Sequence, residues 1–371
     1  MTICERSPQP LSGRGAGIVT HPELWSVLDE LGAGSLRSEG VRVEERVTLG
    51  RDGQVVGRCG YPQTMTSWER LFAGLQALWG DGDYRLGHDF CGLSQDEAGV
   101  TARFADGRTL DGDLLVGADG VRSVVRRAIV GDLQPRYAGY VGWRGMAREA
   151  DIPEAAHRDL FHVFGFGLPP GEQMIGYPVA GDGCDLRPGH RRYNFVWYRP
   201  ADDDALQDML TDATGHAHRV SIPPPLIRPE LVAAMRAAAM ERLAPQFAAI
   251  VAATPGPFLQ PIYDLESPRL VLGRVALVGD AGFVVRPHVG AGVTKAAEDA
   301  WALVTALEGN TPSALARYEA ERLPAGQRIV RRARHLGAYM QAHLATEEER
   351  AAAARHHSPA AVMAETASLR F

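Results

Sequence analysis

Residues 275–303, "VALVGDAGFVVRPHVGAGVTKAAEDAWAL", decide the fold. The apolar run Val275 to Val278 has the length of a buried strand, and it ends in Gly279-Asp280-Ala281-Gly282. Asp280 therefore stands just past the strand, placed to accept hydrogen bonds from a ligand hydroxyl. Such a charge-assisted bond is worth roughly 1.5–3 kcal/mol. Pro287 stiffens the loop that follows. Gly290 and Gly292 let a flat ligand lie against bare backbone where the next helix starts, and the amides there can stabilise negative charge on that ligand. That helix is expected over 294–309, closed by Gly309. Alone, the pattern also fits an ordinary glycine-rich turn.

A second segment, "DLLVGADGVRSVVRR" (113–127), repeats the logic. An apolar strand delivers Asp119 and Gly120 to its carboxyl end, and Arg122 and Arg126 follow on the next helix. Gly120 permits close backbone approach, and a helix N-terminus favours an anion such as a pyrophosphate. The bland alternative is a strand-turn-helix with solvated arginines. A third acid, Glu5, ends an apparent strand at Thr2–Arg6. In a dinucleotide-binding fold an acid there holds a ribose, about 20 residues after a glycine-rich loop. Here the glycine-rich stretch "SGRGAG" (12–17) follows the acid.

The rest of the chain is consistent with a mixed α/β protein. Residues 23–31 and 67–80 have helical spacing, the latter with Leu71, Leu75 and Leu78 on one face. Residues 41–59 read as a hairpin turning at Arg51-Asp52-Gly53. Residues 99–120 read as two strands around an Asp-Gly turn at 106–107. From 137 to 265 the sequence is aromatic and alternating ("YAGYVGWRGMA", "FHVFGFG", "EQMIGYPVA", "RRYNFVWYRP"), followed by an Ala-rich helical stretch at 230–253. Two domains result: a discontinuous α/β unit, 1–136 plus 266–371, around a β-rich insertion at 137–265. The tail after 346 is weakly patterned and reads as a helix and then a loose end.

Composition excludes several classes. The 371 residues are 45% apolar and 23% charged, with a net charge of -6, so there is no basic footprint for nucleic acid. Four cysteines lie far apart without CxxC pairing, which suits reduced thiols and a cytoplasmic location. No apolar run suits a membrane span, and no signal peptide is apparent. The histidines are scattered without metal-ligand spacing, so no metal is expected. No G-x-S-x-G elbow supports a hydrolase.

The Asp119-Gly120 and Gly279-Asp280 motifs, in this order and about 160 residues apart, are specific together. They resemble the fingerprints of the para-hydroxybenzoate hydroxylase-like (class A) flavoprotein monooxygenases. Residues 3–24, 137–145, 194–198 and 279–292 extend the likeness to members acting on hydroxylated pyridines. The resemblance implies FAD held by the split Rossmann-like domain, with the substrate beneath the inserted sheet. It places Glu5 on the adenosine ribose and Asp119 with Gly120 in a motif shared by FAD and the nicotinamide nucleotide. Asp280 falls on the ribityl chain, and Pro287, Gly290, Gly292 and Val293 along the isoalloxazine ring. It implies NADH as reductant, O2 as co-substrate, and transfer of one oxygen from a flavin C4a-hydroperoxide to a small aromatic or N-heterocyclic substrate. Phe283 and Ala291 depart from the histidine and glutamine of many relatives, and Trp68 from an arginine.

The resemblance also implies a strand, phosphate loop and helix of about 30 residues ahead of Glu5. Two explanations stand, a start codon assigned too late or a decayed copy; the first is the expectation, with the 371-residue form binding FAD weakly and an upstream-extended form binding it tightly. Four further residues are site candidates on their own chemistry. His288 can take a proton from a substrate hydroxyl or simply bond backbone. Tyr177 can hydrogen-bond substrate or belong to the sheet core. Arg14 can meet phosphate or flavin, or be exposed. Arg144, with Trp143, reads as structural. The oligomeric state stays open, with a homodimer as one candidate. A same-fold flavin oxidoreductase on another substrate, and a flavin-free binding protein, are the competing functions.

Overall fold

Alternation in the middle third builds one large sheet, and the two acid-terminated strand motifs build a small one beside it. A computed structural model describes residues 1–11, 17–308 and 311–369. Arg14 and Gly309 lie outside the described residues.

The N-terminal part runs β1 (Thr2–Cys4), β2 (Gly17–Val19), α1 (Pro22–Glu30), β3 (Val41–Leu49), β4 (Val55–Ser67) and α2 (Trp68–Trp79). The 3–4 hairpin turns where the Asp-Gly pair predicts, with Gly53 at φ 82°. Ser67 caps α2, its side chain accepting from the Arg70 amide. Only Leu71 of the expected apolar face is buried; Leu75 and Leu78 are exposed, because α2 rests on its neighbours by one turn alone.

Next come β5 (Asp83–Arg85), β6 (Phe90–Gln95), β7 (Val100–Phe104), β8 (Thr109–Gly112), β9 (Leu115–Gly117) and α3 (Val124–Val130). The expected strand over 109–120 is two strands. β8 pairs with β7, whereas β9 leaves that sheet after Gly112 and pairs in parallel with β16 (Val275–Leu277). Parallel pairing explains why these short runs read as continuously apolar. β1 pairs in parallel with β5. Among the described residues β1 and β9 each have one strand neighbour, and Val116 on β9 is 43% exposed.

The middle part carries β10 (Arg136–Arg148), α4 (Glu154–Leu160), β11 (Val163–Gly167), β12 (Gln173–Val179), β13 (Arg192–Pro200), α5 (Asp203–Met209), α6 (Pro229–Arg242), α7 (Pro245–Ala252) and β14 (Phe258–Glu266). The single helix expected at 230–253 breaks at Pro245, which starts α7 because proline fits a first helical turn. After β15 (Val271–Leu272) and β16 come β17 (Phe283–Val284), α8 (Gly292–Ala306), α9 (Thr311–Gly337), α10 (Glu347–Arg355) and α11 (Pro359–Glu365).

The large sheet has the order β17-β14-β10-β13-β12-β11-β3-β4-β2, so it takes strands from both sides of the 137–265 division. One face buries Trp143, Phe195 and Trp197 against Phe247 and Ile250 of α7. The opposite face carries Tyr140, Tyr198, Tyr177, Phe164 and Phe166, and Val362, Met363 and Ala367 of the tail pack there. The tail is thus helix α10, packed against α9 and Ala338, and then helix α11, docked on the sheet, rather than a loose end.

Candidate active site

The Gly279-Asp280 turn is locked from beneath. Gly279 is left-handed (φ 60°), a conformation glycine adopts without steric cost. Its amide donates to Asp299 Oδ2 at 3.0 Å, and its carbonyl accepts from Lys295 Nζ at 2.7 Å. Lys295 Nζ also donates to Asp299 at 3.2 Å, and Arg322 Nε donates to the other carboxylate oxygen at 2.8 Å. Tyr318 Oη donates to the Leu277 carbonyl at 2.6 Å. Asp280 itself is exposed and makes no hydrogen bond among the described residues. Protein nevertheless surrounds it on most sides. This burial raises its carboxyl above the usual range, against Lys295 and with help from Asp299. A carboxylate that is accessible, crowded and unpartnered is a strong acceptor awaiting donors.

The loop after it begins at a buried ion pair. Arg286 Nε donates to Asp264 Oδ2 at 2.8 Å, with both side chains almost fully buried. Pro287–Val289 form one tight turn, closed by Gly290 at φ 65°. Gly292 opens α8 and is exposed, with open space where a Cβ would project. The first amides of α8 therefore end on bare, accessible backbone, a place that favours negative charge. Val293 is half-buried against the α1 cluster. Thr294 Oγ1 meets His21 Nδ1 at 3.1 Å. Two of the three departures from the family pattern are core positions: Phe283 packs against Gly326 in α9, and Ala291 is buried; the third, Trp68, is half-buried and stacks on Phe72 at 4.7 Å.

Asp119 follows β9 and caps α3. It accepts from the Val124 and Val125 amides at 2.6 and 3.1 Å and from Ser123 Oγ at 2.5 Å. The α3 amides expected to face an anion are thus turned to Asp119. Gly120 has φ 73°. Arg126 is neither solvated nor free: it donates to the Ala281 carbonyl at 3.0 Å and to the Val121 carbonyl at 2.8 Å, tying the two motifs together. Arg122 donates to Ser221 Oγ at 2.8 Å. Glu5 is half-buried at the carboxyl end of β1 and accepts from the Ser7 amide at 2.6 Å.

His288 is 1% exposed, its Nε2 lies 2.7 Å from Tyr140 Oη, and Tyr198 packs edge-on at 4.5 Å. Burial, then the Arg286 and His356 charges, push its pKa down to about 3. It is a neutral ring near pH 7, too weak and too enclosed to accept a substrate proton. Because the folded-state value lies below the ordinary 6.5, the stability it contributes is full above pH 6.5 and is lost as pH falls toward 3. His288→Gln, which keeps a hydrogen-bonding head for Tyr140, is expected to lose less stability than wild type between pH 6 and 4. Thermal melts across that range check it; parallel curves exclude His288 as the acid-labile group.

Tyr177 and Asn194 are direct partners on adjacent strands β12 and β13, on the face opposite Trp143. Asn194 Oδ1 accepts from the Gly17 amide at 3.1 Å, while its buried Nδ2 has no partner. Tyr177 Oη has none among the described residues, and burial pushes its pKa up to about 12. It stays a protonated donor. Half-buried Arg144 lies on the same face, donating to Gln260 Oε1 at 2.8 Å and leaving Nε unpartnered. Asn194 stood inside the quoted "NFVWY" block without being singled out. Lys295 and Asp299 were also missed, although their i,i+4 spacing in "KAAED" was a legible signal. Among the described residues no cluster has the makings of a metal site, and no helix is long and apolar enough to cross a membrane.

Comparison with known proteins agrees with this geometry. Residues 137–264 match the FAD binding domain-like family. The chain is 32% identical over 346 residues to 2,6-dihydroxypyridine 3-monooxygenase of Paenarthrobacter nicotinovorans, covering 91% of this chain and 85% of that protein. The solved 2,6-dihydroxypyridine-3-hydroxylase from Arthrobacter nicotinovorans superposes with a TM-score of 0.85 at 31% identity, over 92% of this chain and 86% of that one. A Klebsiella pneumoniae protein solved with FAD and uric acid superposes with a TM-score of 0.71 at 26% identity, over 89% and 79%. The likeness spans both acid motifs and the sheet between them, and the chain belongs to the para-hydroxybenzoate hydroxylase-like FAD-dependent monooxygenases.

Proposed function

We propose that this enzyme hydroxylates a small hydroxylated nitrogen heterocycle, with NADH as electron source and O2 as oxygen source. The observation that carries the reading is the unpartnered Asp280 carboxylate beside the open backbone of Gly292. A flavin fits there: its ribityl hydroxyls are donors for Asp280, and its flat ring suits the open backbone at Gly292. Glu5 would take the ribose, and Asp119 with Gly120 the nucleotide side. FAD, when bound, supplies the redox chemistry that activates O2 and delivers one oxygen atom to the ring. The amides opening α8 stabilise negative charge near Gly292. Pro287 fixes the loop, and His288 with Tyr140 supports it from behind as positioning residues.

The substrate end is the sheet face. Among the described residues Asn194 Nδ2 is a buried donor without a partner and Tyr177 Oη makes no hydrogen bond, in an apolar wall that includes Phe164 and Val196. Donors of this kind suit a ring bearing hydroxyl or oxo oxygens, because an unmet buried polar group costs about 1–3 kcal/mol and a matching ligand removes that cost. The test is NADH oxidation by the FAD-loaded chain with a panel of hydroxypyridines, hydroxybenzoates and oxidised purines. Hydroxypyridines are expected to stimulate it most; stimulation by another class alone overturns the substrate assignment. Tyr177→Phe is expected to raise KM about fivefold with little change in kcat, the loss of one hydrogen bond of about 1 kcal/mol. An unchanged KM places Tyr177 in the core only.

A further inference from the structure

Arg46 on β3 is completely buried, and among the described residues no carboxylate pairs with it. Its charge is met by dipoles. Nη1 donates to the Met363 and Thr366 carbonyls at 2.5 and 2.6 Å. Nη2 donates to the Ala367 carbonyl at 3.2 Å and to Gln63 Oε1. The Tyr61 ring lies 3.8 Å from the guanidinium carbon. The carbonyls it meets are at and just beyond the end of α11, where backbone acceptors lack partners and a cation is favoured. Gln63 Nε2 adds a bond to the Ala367 carbonyl at 3.1 Å.

Ala367 turns this docking toward the site. It has φ 50°, left-handed for a residue with a Cβ, a conformation that persists only where surroundings impose it. Its amide donates to the His288 carbonyl at 2.7 Å. Its Cβ lies 3.2 Å from where a Gly290 side chain would begin. The tail therefore touches the Pro287–Gly292 loop by a hydrogen bond and by close backbone packing.

We propose that Pro359–Leu369 is a clamp on this loop, locked by Arg46, so that tail docking and flavin binding stabilise each other. The proposal rests on the reading that the loop faces the flavin. Arg46 is a positioning residue here: it touches neither flavin nor substrate and acts through Ala367. Coupling of this kind is reciprocal. Flavin must slow opening of the tail by the same factor by which a docked tail tightens flavin.

Hydrogen–deuterium exchange over residues 359–369, without and with saturating FAD, reads the coupling directly. FAD is expected to slow exchange there about tenfold, within the ordinary range for coupled sites. Arg46→Met is expected to abolish that slowing and raise the FAD Kd by the same factor. Arg46→Lys is expected to restore part of both, since an ammonium still donates to the carbonyls. Should Arg46→Met not fold, Ala367→Pro serves: proline has no amide hydrogen and cannot take φ 50°. It is expected to match Arg46→Met. FAD that binds without changing tail exchange, or an Ala367→Pro chain with wild-type Kd and exchange, overturns the clamp alone. A chain that takes up no FAD overturns the flavin reading and the clamp with it.

Discussion

Asp280→Ala is expected to lose most bound flavin, with FAD affinity falling roughly 10- to 150-fold, the equivalent of one charge-assisted hydrogen bond of about 1.5–3 kcal/mol. Nothing else on the turn can replace it: among the described residues the carboxylate has no hydrogen-bond partner, while Gly279 is fully engaged by Asp299 and Lys295. Absorbance near the flavin band after desalting measures the loss, and wild-type occupancy would remove Asp280 from the site. Asp280→Asn separates binding from folding. Burial raises the carboxyl pKa in the folded chain, so the ionised group opposes folding at neutral pH. Its removal is expected to raise the Tm of the flavin-free chain only slightly, because solvent screens the accessible carboxylate, while weakening flavin. The opposite signs are the mark of a group kept for its ligand rather than for the fold; a lower Tm would mean the carboxylate serves the fold.

Asp299→Ala is expected to be the most destabilising single change near the site. It strips the carboxylate partner from Lys295, whose side chain is 0% exposed, and one of the carboxylates from Arg322, which keeps Glu298. It also leaves the Gly279 amide without its acceptor. Removing one member of a buried ionic set costs about 3–5 kcal/mol, here because Lys295 stays buried without a counter-charge. Flavin occupancy should fall with it, since the turn presenting Asp280 is no longer held. Urea unfolding and flavin content measure the two effects. Asp299→Asn keeps an acceptor for Gly279 and is expected to retain more flavin than Asp299→Ala at similar stability. Equal retention would show that the Gly279 hydrogen bond does not hold the turn.

The parts of this fold that the chain announces are those where periodicity and chemistry coincide. Val275–Leu277 is an unbroken apolar strand ending in Gly-Asp, and it stands where that pattern predicts. The hairpin around Gly53 and helix α1 follow from their own turn and cap residues. What could not be read depends on residues far apart in sequence. The helix at 68–79 has three leucines in line, yet only Leu71 meets the core. Residues 109–120 change sheets at Gly112, since β16, more than 150 residues later, captures β9. The tail looked unpatterned because it is held by Arg46 and Gln63 from the hairpin strands, not by a stripe of its own. At the site, the acids Glu5, Asp119 and Asp280 were legible by position, but which of them is free was not. Asp119 spends its oxygens on α3, and Asp280 does not. His288 looked like a base beside Pro287; only the packing of Tyr140 and Tyr198 around it reveals a neutral, enclosed ring.

The central claim, that this chain places one atom of O2 on a hydroxylated pyridine, has a direct measurement. The FAD-loaded protein is incubated with NADH and a dihydroxypyridine under 18O2, and the product is weighed by mass spectrometry. The account predicts a hydroxylated product carrying a single 18O atom, with no label when the heavy isotope is supplied in water instead. Label arriving from water, or NADH consumed with no oxygenated ring formed, would contradict it.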